Sequence, residues 1–150
     1  MKVVYTIGTQ GMHDAPFLQL LREHQVDAVI DVRLRNEGRY YRFASGKHIR
    51  ALVEQDGIAY RHELAFAPTS AMRKVYEVYG DWAAYELTYD CLKDEREMGT
   101  LWGEEYSRFT NPCLLCAEEL PDRCHRRLLA EHLGKVFDVP ILHLGKKVKP

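Results

Sequence analysis

The sequence predicts a single α/β domain spanning residues 1–150: a mostly parallel sheet of about five strands, flanked by helices, with a helical middle segment. Three observations lead there. Short β-branched or apolar runs alternate with stretches at helical spacing, which is the pattern of a sheet built from strand-helix units. The runs opening at Ala28 and at Cys113 are continuously apolar, as strands covered on both faces must be. The length of 150 residues is that of one domain, able to bury roughly 68–70% of its unfolded surface.

The first strand is Val3-Val4-Tyr5-Thr6-Ile7, turned by Gly8. Asp14 is the expected cap of a helix that places Phe17, Leu20 and Leu21 on one face. Residues 28–33 (AVIDVR) form a second strand, and a polar stretch from Leu34 to Gly46 leads to a helix carrying Ile49, Leu52 and Val53 and stopped by Gly57. A third strand is expected over 58–62. Helical spacing then runs through Met72, Val75, Tyr76 and Tyr79, through Trp82, Tyr85, Tyr89 and Leu92, and through Trp102, Tyr106 and Phe109. The aromatic stripe of this middle third has the spacing of core rather than of a cofactor box. A buried strand over 113–117, a helix from Asp122 to Leu133 ended by Gly134, and a last strand over 140–144 complete the order, leaving a frayed tail at 146–150.

The totals exclude several classes of protein. With 46% hydrophobic and 29% charged residues, the chain is neither disordered nor fibrous. The formal charge of −1 argues against wholesale binding to DNA or to membranes, while leaving room for a local basic patch. The opening residues are too quickly interrupted to be a signal peptide, and no apolar run approaches the ~20 residues of a membrane span, so a cytoplasmic location is expected. Four cysteines in a chain of this size do not make a disulfide scaffold. No glycine fingerprint for a dinucleotide and no phosphate-binding Walker loop occurs, so no cofactor is expected. Nothing in the sequence indicates an oligomeric state.

In parallel sheets, ligands bind beyond the carboxyl ends of the strands, so Gly8, Arg33 and Glu118 are expected to meet at one rim. Between strand and helix lies Cys116-Ala-Glu-Glu-Leu-Pro-Asp-Arg-Cys-His-Arg126. With Asp122 as the cap, Cys124 and His125 fall in the first helical turn, where free N–H groups favour a thiolate and Arg123 and Arg126 add to the effect. Cys124 is therefore a candidate nucleophile with His125 beside it; in the alternative, Cys124 packs under the helix while His125 and Arg126 hold the loop. Glu118 is a candidate nucleophile or general base, or else an ion-pair partner of Arg33 with Asp31 nearby.

Other chemistries lack their parts. A phosphatase loop needs an arginine six positions after its cysteine, yet those positions hold Glu97, Glu119, Asp122 and Ala130. Asp31-Val32-Arg33 resembles the opening strand of rhodanese domains, but no glycine-rich loop follows any cysteine, which disfavours sulfur transfer. Cys113 and Cys116 point to opposite faces of an extended strand and adjacent helical residues diverge, so buried free thiols are expected instead of a zinc site, and no metal is predicted. Between Arg33 and Arg50 the basic residues Arg33, Arg35, Arg39, Arg42, Lys47 and Arg50 face the single acid Glu37, with Tyr40, Tyr41 and Phe43 interleaved. That mixture suits phosphate or nucleic acid, and equally a solvated loop.

The Cys116–Arg126 segment, together with Thr6-Ile7-Gly8, Asp31-Val32-Arg33 and Leu64-Ala-Phe-Ala-Pro-Thr69, resembles the blocks of the domain-of-unknown-function family 488. The resemblance covers nearly the whole chain and implies a Rossmann-like α/β domain without supplying a reaction. It departs at Thr9-Gln10, where the family often has a serine or another small residue. The resulting expectation is a small enzyme acting on a nucleotide or nucleic-acid component. Its catalytic candidates are Glu118, Cys124 and His125, with Gly8, Thr9, Arg33, Arg39, Arg42, Cys116 and Arg126 toward a phosphate-bearing ligand. The alternative is a non-catalytic nucleic-acid or phosphate-binding module using the Arg33–Arg50 segment.

Overall fold

The computed structural model describes residues 1–37 and 42–145, so the tail at 146–150 lies outside the described residues. Strands β1 (Val4–Gly8), β2 (Ala28–Asp31), β3 (Ala59–His62), β4 (Pro112–Cys116) and β5 (Ile141–His143) form one sheet in the order β3-β2-β4-β1-β5, parallel at every pairing. Helices α1 (Asp14–Glu23), α2 (Gly46–Glu54), α3 (Ser70–Tyr79), α4 (Trp82–Glu95), α5 (Met98–Glu105) and α6 (His125–Phe137) supply the crossovers. The chain thus adopts the expected α/β class with its helical middle. Among the described residues, no helix is long and apolar enough to cross a membrane.

The period-2 alternation of each strand divides the core in two. Val4, Ile30, Leu114 and Cys116 face α4, α5 and α6, where Tyr89, Trp102 and Leu129 close the layer. Ile7, Val29, Cys113 and Leu115 face α1 and α2, against Phe17, Leu21, Ile49 and Val53. Strands β2 and β4 are buried at every position, which their uninterrupted apolar runs anticipate.

Strand β4 lies between β2 and β1, so the order is not the 3-2-1-4-5-6 of the dinucleotide-binding sheet. From β2 the chain continues to α2 on one face, whereas from β4 it continues to α6 on the other. Opposed connections leave a crevice at the carboxyl ends of these neighbouring strands, where a ligand site is expected.

Several expected boundaries move. Asp14 is the first residue of α1 rather than its cap; its carboxylate meets the His48 ring at 2.8 Å and ties α1 to α2. Helix α6 starts at His125 instead of Asp122, because Pro121 and its neighbours form a turn and Cys124 is extended (φ −140°, ψ 136°). It also runs through Gly134 to Phe137, turning at Asp138 (φ 52°). Gly134 serves close packing: a Cβ there would lie 3.0 Å from Ile141 Cγ2 and 3.1 Å from the Val139 carbonyl oxygen. In the middle third Tyr85, Tyr89, Trp102 and Tyr106 are core as expected, but Tyr79 is 76% exposed and Tyr76 and Trp82 are half-buried.

Candidate functional site

A cavity of about 250 Å³ opens at the crevice beyond β2 and β4. Arg33 and Arg35 border it from the loop after β2, and Arg73, Tyr76 and Glu77 from α3. Trp82 and Tyr85 of α4 stand beside them, while Cys116, Glu118, Arg123, Cys124 and His125 come from the link between β4 and α6. The carboxylate, guanidinium and sulfur expected at the rim therefore border one cleft.

Their pairing differs from the expected one. Arg33 is buried and does not pair with Glu118; its Nε and Nη2 donate to the two Asp31 oxygens at 2.9 and 2.7 Å, and its Nη1 donates to the Ala44 carbonyl at 2.6 Å. The Arg33 backbone N–H also donates to Asp31 Oδ1, so the bend after β2 folds the side chain back onto its nearest carboxylate. Burial opposes the Arg33 charge, but the Asp31 bonds outweigh it and hold the guanidinium above its ordinary pKa. Tyr60 donates to Asp31 Oδ2 at 2.5 Å; burial first, then Asp31, pushes its phenol well above the usual range.

Three expected ligand contacts are occupied by the protein itself. A Cβ on Gly8 would sit 1.8 Å from the Glu118 carbonyl oxygen, so Gly8 admits the loop after β4 and is covered by it. Thr9 is buried beside it, its N–H donating to the Cys116 carbonyl at 2.9 Å. Arg126 is fully buried and reaches the Glu118 carbonyl at 2.5 Å, the Glu119 carbonyl at 3.3 Å and Thr6 Oγ1 at 3.3 Å, clamping that loop onto β1. Gly8, Thr9 and Arg126 build the rim without lining the cleft. Arg42 is exposed on a 3-10 turn, also outside the cleft lining, and Arg39, Tyr40 and Tyr41 lie outside the described residues. In the basic segment, Arg33 is bound to Asp31 and Arg50 to Glu54, which weakens its standing as a phosphate grip.

The floor of the cleft is a sulfur and imidazole cluster. The His125 Nε2 lies 2.7 Å from the Val32 carbonyl oxygen, which requires a proton on that nitrogen and leaves Nδ1 as acceptor, 3.7 Å from Cys116 Sγ. The hydrogen bond from Cys124 leads in lowering the Cys116 thiol, helped by Arg126 and the Ala117 N–H, against burial. Burial first, then Cys116, raises the Cys124 thiol well above its ordinary value. Cys124, the expected nucleophile, is 3% exposed at the helix cap, and it is the neighbouring Cys116 thiol whose surroundings favour the thiolate.

The cluster corrects the argument against metal. Cys113 does face the opposite side of the sheet, but the ligand atoms of Cys116, Cys124 and His125 lie within 4.8 Å of one another. Adjacent residues 124 and 125 converge because only the second is helical. Alkylation of metal-free protein, followed by peptide mass, should show Cys116 reacting at a pH below the free-thiol value of about 8.5, and Cys124 only above it. Thiolate fraction grows with pH, so Cys124→Ala, which removes the leading cause, should move the Cys116 profile upward; faster labelling of Cys124 would reverse the assignment.

The aromatic side of the cleft escaped the sequence reading. Trp82 and Tyr85 stack at 4.7 Å and 16°, and Tyr76 meets Trp82 edge-on at 5.6 Å and Tyr85 at a tilt at 5.5 Å. Their spacing is equally that of core. The signal that distinguishes them is the break at Gly80-Asp81, where Gly80 turns left-handed (φ 64°) and Asp81 caps α4, placing Tyr76 and Trp82 at a corner open to the cavity.

No curated protein and no solved structure matches the chain. Residues 15–133 match the family described as Domain of unknown function DUF488, which takes in both the β2 rim and the start of α6. With that match over most of its length, the chain belongs to the DUF488 family.

Proposed function

We propose that the protein is a small enzyme acting on a nucleotide or nucleic-acid component held in this cleft. The observation that carries the reading is the lining: an aromatic surface of Tyr76, Trp82 and Tyr85 shares one cavity with arginines and with a sulfur and imidazole floor. Aromatic faces hold a base by stacking, and guanidinium groups hold phosphate by paired hydrogen bonds. Among the described residues, Arg35, Arg73 and Arg123 form no ion pair and can meet an anion. A volume of about 250 Å³ suits one base or a mononucleotide better than a larger ligand. Exposed Glu118, at the mouth, is the group that moves a proton, while Cys116 and His125 act at the floor.

Binding can be followed by titration calorimetry with a panel of nucleosides and nucleoside phosphates. Trp82→Ala should weaken both classes about tenfold, the size of one lost stacking contact. Arg73→Ala and Arg123→Ala should weaken the phosphates and leave nucleosides unchanged. Glu118→Gln and Cys116→Ser should keep ligand binding and abolish turnover. Nucleotide binding that is absent, or indifferent to Trp82 and both arginines, rejects the reading.

A further inference from the structure

We propose that Cys116, Cys124 and His125 form a zinc site on the floor of the cleft, with the fourth coordination position open to the cavity. All three donor atoms lie within 4.8 Å of one another, and the Cys116 Sγ to His125 Nδ1 separation is 3.7 Å. Tetrahedral zinc with Zn–S near 2.3 Å and Zn–N near 2.1 Å requires a sulfur-nitrogen edge of about 3.6 Å. The cluster is therefore close to the size of a filled site without movement of the backbone.

Its surroundings have the parts that a metal centre uses. The second ring nitrogen of His125 is bound to the Val32 carbonyl at 2.7 Å, which fixes the tautomer and aims Nδ1 at the sulfurs. Cys116 ends β4 and Cys124 and His125 open α6, so rigid elements hold all three donors. Two thiolates and an imidazole favour zinc over magnesium or calcium, whose ligands are oxygens.

The number of ligands decides the kind of site. Structural zinc is closed by four protein ligands, whereas a catalytic ion keeps one position for water or substrate. Cys113 is on the opposite face of the sheet and cannot supply a fourth ligand, and no further acidic, cysteine or histidine side chain joins the three among the described residues. All three border the cavity, so the open position faces the cleft. Water bound there would lose a proton near pH 7 and become a hydroxide nucleophile. Zinc binding stands without the nucleotide reading; its use for hydrolysis of a bound nucleotide component rests on that reading.

The test uses the full chain, reduced and stripped with chelator, titrated with Zn²⁺ alone against a chromophoric competitor. One equivalent should bind, and Co²⁺ in its place should give thiolate-to-metal charge transfer and tetrahedral d–d bands. Cys116→Ser and Cys124→Ser should each weaken binding by about 100-fold or more, beyond what loss of an outer-shell partner costs, while exposed Cys91→Ser changes nothing. In the unmutated chain, Zn²⁺ should block alkylation of Cys116 and Cys124 together, a readout that does not depend on any variant folding. Uptake well below one equivalent, binding unaffected by Cys116→Ser, or unchanged alkylation overturns the site. Zinc uptake is measured without nucleotide, and nucleotide binding on zinc-free protein, so either proposal can fail alone.

Discussion

Replacing Asp31 by Asn is expected to lower stability by about 3–5 kcal/mol, the loss typical of breaking one side of a buried ion pair. Asp31 is fully buried, and its two oxygens receive the Arg33 guanidinium, the Arg33 N–H and the Tyr60 hydroxyl. Asparagine preserves the shape but leaves the Arg33 cation without a counter-charge and turns an NH₂ toward its donors. For a domain whose whole stability is about 5–15 kcal/mol, that loss approaches the margin. Urea unfolding should show a lower midpoint with an unchanged slope. Tyr60→Phe, which removes one bond to a charged acceptor, should cost less, about 1.5–3 kcal/mol. Asp31→Asn combined with Arg33→Met should recover much of the loss, because the uncompensated charge leaves with the arginine. A single-variant loss under about 1 kcal/mol would mean that water, not Asp31, satisfies Arg33.

What could be read in advance follows from how local each determinant is. The burial of β2 and β4 was legible because continuous apolarity is a local property and few other strand environments tolerate it. The convergence of Glu118, Cys124 and Arg33 on one cleft followed from parallel topology, which brings strand ends to one rim whatever their separation in sequence. The partner of Arg33 was misread: Glu118 was the expected partner, yet the guanidinium pairs with the carboxylate two residues away, which the strand-end bend presents at little loop cost.

Helix ends misled for a related reason. Asp122 and Gly134 are the residue types that start and stop helices, but tertiary contacts override both. Arg126 holds the loop in a form that postpones the start of α6, and the packing of Ile141 uses Gly134 for space rather than termination. The shift of the α6 cap from Asp122 to Cys124 is what turns Cys124 and His125 toward Cys116, so a small boundary error concealed the geometry of the cluster. The aromatic side was hidden differently, since helical spacing serves a buried stripe and a cleft wall alike.

Gly8→Ala is expected to damage stability and the cleft together. The added methyl would lie 1.8 Å from the Glu118 carbonyl oxygen, 2.8 Å from its carbonyl carbon and 3.3 Å from the Glu119 Cα, all backbone atoms that cannot rotate away. The loop must lift off β1 by more than an ångström. That movement stretches the bonds from Arg126 to the Glu118 and Glu119 carbonyls and weakens the satisfaction of a fully buried cation. Overpacking with partial loss of those charge-assisted bonds should cost about 3 kcal/mol. Gly80→Ala provides the comparison: nothing lies within 4 Å of the added atom and only the left-handed turn (φ 64°) resists it, so about 1 kcal/mol is expected. The functional consequence should separate the two further. The loop between β4 and α6 carries Arg123 as well as Glu118, so Gly8→Ala should weaken the nucleotide binding proposed for the cleft even at temperatures where the variant stays folded, whereas Gly80→Ala affects ligand only through the corner between α3 and α4. If Gly8→Ala proves as mild as Gly80→Ala, the loop is not seated on β1 and the rim is held by Arg126 alone.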